Sequence, residues 1–252
     1  AISQLGLGRQ IKRGEIETMF SVPGLVATKR SMALRVAKPR LTFKRALLRH
    51  PAVESLEDRR LLAVVTWSGG AGASDTHWTT AANWEGGVAP TAGDDLVFSA
   101  AALQNDTFNN FSAGTNFASI SIDGSNYLLA GNAVALDNGL SVNGGDATVS
   151  LPLKLNADQS FRNSVYGTLT LGAVDLNSHQ LSLQNYGLAI TVDGQISGDG
   201  GLIIGGWGNF GVTLVAANSY TGSTQIEGGW LHIQDALALG SADGTLASGT
   251  IL

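Results

Sequence analysis

Residues 214–240 read LVAANSYTGSTQIEGGWLHIQDALALG, and their spacing leaves few folds open. Leu214 and Val215 end one strand, Thr224-Gln225-Ile226 forms a second and Trp230-Leu231-His232-Ile233 a third. Asn218-Ser219-Tyr220-Thr221-Gly222 and Gly228-Gly229 turn the chain between them. Strand, turn and strand alternate with no length left for a helix, which is the pattern of a chain winding round a β-solenoid. Such repeats build surface more often than catalytic sites.

The pattern extends back to Ala118. Ser119-Ile120-Ser121-Ile122, Tyr127-Leu128-Leu129, Leu140-Ser141-Val142, residues 168–171, 181–183, 188–192 and 202–204 read as short strands, and residues 147–155 alternate apolar with polar residues. A period of two sends one face of each segment inward and the other to water. Gly, Asn and Asp separate the segments, because turns need positive φ or side-chain bonds to the backbone. Turn signals 8–12 residues apart also suit a β-sandwich. The short strands and the recurring strand–GG/DG–strand phrase favour the solenoid, at roughly 20 residues and one rung per turn. That spacing leaves room for about six rungs after residue 118.

Particular residues carry a family resemblance. From Ile196 to Gly240 the chain has I-S-G-x-G-G-L, T-L-x-x-A-N-S-Y-T-G-S-T, G-G-W-L-x-I and A-L-G, and it resembles the autotransporter-associated β-strand repeat. Residues 66–98 place Trp67, Trp78 and Trp84 among Gly/Ser/Thr turns ahead of Gly93-Asp94-Asp95 and Leu96-Val97-Phe98. This block resembles the opening module that precedes such repeats. The resemblance implies an all-β, right-handed parallel β-helix of passenger type. An open solenoid end invites pairing with other chains, so the tryptophans are expected to plug the first rung, each ring buried with its indole N–H on a polar neighbour.

The charge is divided. The net charge is -5, yet residues 1–60 hold 13 of the 15 Lys and Arg, while beyond residue 60 only Lys154 and Arg162 stand against 15 acids. Affinity for phosphate rests on Lys and Arg, so the acidic part is not a nucleic-acid binder. The basic part has no run of the roughly 18 apolar residues a membrane span needs, and residues 19–27 make a poor secretory core. Leu56-Glu57-Asp58-Arg59-Arg60-Leu61-Leu62 follows, and it resembles the LEPRxLL-type motif of large exported bacterial proteins, with Asp58 in place of the proline. The resemblance implies a sorting signal read by export machinery, and a location at the cell surface or outside the cell. Met32 makes a natural translation start, and the repeat array is expected to continue past Leu252.

The organisation expected is a basic, largely disordered leader with the sorting motif over 1–63, a Trp-rich capping module over 64–117 and solenoid repeats over 118–252. No cofactor or metal site is expected. Cysteine is absent, which removes thiolate chemistry. His50, His77, His179 and His232 are scattered outside any HExxH motif, and His232 alternates with Leu231 and Ile233, facing water. Asp94 and Asp95 are a weak candidate for Ca²⁺, since Asp at a turn needs no metal. The acids of the repeat region stand singly at turns, not as the carboxylate pair of a glycosidase. The function expected is a non-catalytic, structural or adhesive surface protein. The rival is a carbohydrate-binding or polysaccharide-degrading β-helix in which Trp67, Trp78, Trp84, Trp207 and Trp230 include a sugar platform, with a cell-surface or extracellular polysaccharide as partner.

Overall fold

The structure, a computed structural model, describes residues 63–164 and 166–241 and the strand Thr250–Ile251. The sorting-motif residues Leu56, Glu57, Asp58, Arg59, Arg60, Leu61 and Leu62 lie outside it. The described residues form a parallel β-solenoid whose strands stack into three sheets. The first sheet stacks Val64–Trp67, Asp95–Phe98, Ser119–Ile122, Leu140–Val142, Gln159–Asn163, Leu181–Asn185, Leu202–Gly206, Thr224–Ile226 and Thr250–Ile251. The second stacks Asp106–Asn109, Tyr127–Gly131, Ala147–Val149, Thr168–Leu171, Ala189–Val192, Gly211–Leu214 and Trp230–Ile233. The third, of shorter strands, stacks Thr115–Phe117, Val134–Leu136, Leu153–Leu155, Val174–Asp175 and Ile196–Ser197. Among the described residues no helix is long and apolar enough to cross a membrane.

Parallel pairing in register turns a local alternation into continuous columns. Leu96, Ile120, Leu140, Phe161, Leu183 and Ile204 stand one above the next, and all six are buried. On the second sheet Leu129, Val149, Leu171, Val192 and Leu214 do the same. Each such side chain contributes about 1.5–3 kcal/mol on burial, and each rung meets only the rungs above and below it. From Ile120 to Ile226 the partners recur at 20 to 22 residues, close to the expected rung. The three sheets begin at Asp95, Asp106 and Thr115 below a covering strand, so one whole turn lies before residue 118. Residues 147–155 are two strands, Ala147–Val149 and Leu153–Leu155, because Ser150-Leu151-Pro152 takes the chain from the second sheet to the third.

Residues 66–98 close the first turn. Val64–Trp67 pairs with Asp95–Phe98 on the first sheet. Phe108 donates its N–H to the Thr76 carbonyl, and Trp78 donates back to Phe108, covering the second sheet. On the third, Gly93 donates to the Asn116 carbonyl and Ala118 to that of Asp94. Trp67, Trp78 and Trp84 are buried beneath these contacts with Phe98 and Phe117. Trp67 meets Trp84 edge to face at 5.2 Å. Trp67 Nε1 donates to the Gln104 carbonyl and Trp84 Nε1 to the Trp78 carbonyl, each at 2.7 Å. The Trp78 Nε1 has no hydrogen-bond partner, so two of the three indoles meet the polar neighbour that the sequence leads one to expect.

Candidate functional site

The repeat motif resolves into structural bonds. Asn218 takes the place of a third-sheet strand: its Oδ1 accepts the Ile196 N–H at 2.7 Å and its Nδ2 donates to the Ala238 carbonyl at 2.6 Å. The side chain bridges the turn below to the turn above. Tyr220 is buried with its hydroxyl 2.6 Å from Thr224 Oγ1, and burial raises its pKa. Gly240 packs over Tyr220, where a Cβ would meet the Tyr220 carbonyl oxygen at 2.3 Å.

Carboxylates along the coil brace turns in the same way. Asp94 accepts from the Thr91 N–H and hydroxyl and from the Ala63 N–H, and Asp95 accepts from Ser119. The two acids weighed for calcium are thus engaged by protein donors. The Thr168 N–H and hydroxyl hold Asp146 below the usual carboxylate range. The His77 N–H and the Thr80 hydroxyl do so for Asp75. Asp158 and Asp235 accept backbone N–H groups from Gln180 and Leu237. His232 stands on the exposed face of its strand, as the alternation predicts.

One surface has no such structural use. At the corner between the first and second sheets, three successive turns carry aromatic residues: Tyr166, then Tyr186, then Trp207 with Phe210. The same corner in the two turns before them reads Asp123-Gly124-Ser125-Asn126 and Asn143-Gly144-Gly145-Asp146. Trp207 is 71% exposed and Tyr166 85%. Together with Arg162 and Ser164 these rings line a cavity of about 490 Å³, within the range of small-ligand sites. Tyr186 and Trp207 meet edge to face at 5.9 Å, and Tyr166 meets Phe210 at 6.5 Å. The Arg162 guanidinium lies 4.7 Å from the Tyr186 ring centre, in the range of a cation–π contact.

The corner is held from inside. Asn163, Asn185 and Gly206 continue the inward column that begins with Trp67, Phe98, Ile122 and Val142. Asn163 Nδ2 donates to the Gly167 carbonyl at 2.8 Å and to that of Ala189 at 3.1 Å. Asn185 Nδ2 donates to the Gly211 carbonyl at 2.7 Å, and its Oδ1 accepts the Gly187 N–H at 3.0 Å. The next residues outward stay on the ladder, Tyr186 donating to the Asn163 carbonyl and Trp207 to that of Asn185. The backbones that carry Tyr186 and Trp207 are therefore fixed by the core.

Of the five tryptophans weighed for a sugar platform, Trp67, Trp78 and Trp84 are buried and offer no open face. Trp207 and Trp230 are exposed, and only Trp207 lines the cavity. Arg162, Tyr166, Tyr186 and Phe210 escape sequence reasoning, because rungs vary from 20 to 22 residues and the register of each pair decides which residues align. Compared with known proteins, the chain matches no family model, no curated protein and no solved structure.

Proposed function

We propose that the chain is an exported structural or adhesive protein of the cell surface, and that its solenoid acts by contact and not by catalysis. The observation that carries this reading is the division of labour among side chains. Inward columns make the core, carboxylates brace the corners, and the exposed aromatic corner has no role in either. A solenoid of this kind holds a large surface rigid through nearest-neighbour contacts. The basic leader and the LEDRRLL segment supply the export part of the reading through their resemblance to sorting signals. Surface biotinylation and protease shaving of intact host cells test it. The wild-type chain is expected to be labelled from outside, and deletion of residues 56–62 to abolish labelling without loss of total protein. A wild-type chain found wholly in the cytosolic fraction overturns the reading.

A further inference from the structure

The aromatic corner has the attributes of a glycan site, and its charge narrows the class. An aromatic ring has a negative π-face, against which the C–H face of a pyranose packs. Trp207 offers such a face, held in place by the Asn185 ladder bond beneath it. Arg162 supplies the second element. Beyond residue 60 the only basic side chains are Lys154 and Arg162. Lys154 stands 3.8 Å from Asp175, whereas Arg162 forms no ion pair among the described residues and lies over Tyr186 in the aromatic cavity. A guanidinium carries five N–H donors in a planar fork that matches a carboxylate. Stacking on Tyr186 limits its rotation and leaves that fork open. No acid lines the cavity, so a bound carboxylate meets no like charge there, and the pair needed to cleave a glycoside is missing from the lining.

We infer that this corner binds a pyranose bearing a carboxylate, with Trp207 as the stacking platform and Arg162 as the partner of the acid group. The inference rests on the surface-contact reading above and names its ligand class.

The test is an array of uronate- and sialate-containing glycans printed beside their neutral counterparts, probed with the full chain and three variants. The wild type is expected to retain carboxylated glycans at least tenfold better than neutral ones. Trp207→Ala weakens retention at least tenfold, Tyr166→Ala weakens it less, and Arg162→Gln removes the preference for the acidic partner. Both aromatic side chains are exposed, so thermal melting of the two alanine variants is expected to match the wild type. Absence of glycan retention, retention indifferent to Trp207→Ala, or equal retention of neutral counterparts each overturns the assignment. Self-association that Trp207→Ala abolishes, without glycan binding, also overturns it and makes the corner an interface between copies. Because the array uses purified protein, its result is independent of export. A cytosolic chain that binds carboxylated glycans sinks only the location, and a surface chain that binds none sinks only the ligand.

Discussion

Asn185 shows how a polar residue serves a core that is mostly apolar. It is fully buried, and its amide satisfies the Gly211 carbonyl and the Gly187 N–H. Replacing it by alanine leaves both backbone groups buried without partners, which costs about 1–3 kcal/mol. Urea unfolding of Asn185→Ala is expected to show a lower midpoint with the slope unchanged. Tyr127 gives a pH-dependent counterpart. Its hydroxyl donates to the Ser99 carbonyl at 2.7 Å, and burial, with Asp123 nearby, pushes its pKa up to about 12. Below its ordinary value of 10.0 the phenol is protonated in both folded and unfolded chains. Between there and about 12 only the unfolded chain releases the proton, so stability falls as pH rises through that window. Tyr127→Phe is expected to flatten that slope in alkaline urea titrations. Single residues of this kind were the least legible in the sequence. Asn218 read as a turn former, and nothing local distinguishes an asparagine at an exposed turn from one bridging two rungs.

Strands were most legible where apolar and polar residues alternate. Leu181–Asn185 and Leu140–Val142 stand where alternation puts them, whereas Val134–Leu136 is apolar throughout and Val174–Asp175 is too short to show a period. Of the third sheet only Leu153–Leu155 lies in an alternating stretch, so the sheet as a whole emerged only when register stacked its strands. The corners decide where each strand stops. At Gly206, φ is 139°, and an added Cβ would meet the Asn185 carbonyl oxygen at 2.0 Å. Gly206→Ala must displace that corner, at a cost of about 1–3 kcal/mol for the backbone conformation. It is expected to lower the urea midpoint and also to shift the fluorescence of Trp207, the next residue along. An unchanged Trp207 signal would mean that the corner does not hold the platform as described.

For the described part of the molecule, the tryptophan block governs behaviour at the end of the coil. Trp84 is 2% exposed and contacts Trp67, Trp78 and Phe98. Trp84→Ala is expected to cost about 3–5 kcal/mol and to loosen the segments that cover all three sheet edges. Exposed edges pair with other chains, so light scattering is expected to show the variant associating as concentration rises while the wild type does not. A variant that loses stability but scatters like the wild type would separate core packing from edge protection. The direction of the backbone bonds has a further consequence. In a parallel coil the ladder bonds of all three sheets lie along the axis and join each rung to the next. Tension applied along that axis loads successive rungs in series, like turns of a spring, so the weakest rung yields first. Each rung of 20 to 22 residues then releases roughly 70 Å of chain, allowing the coil to lengthen in steps while the turns beyond it stay wound.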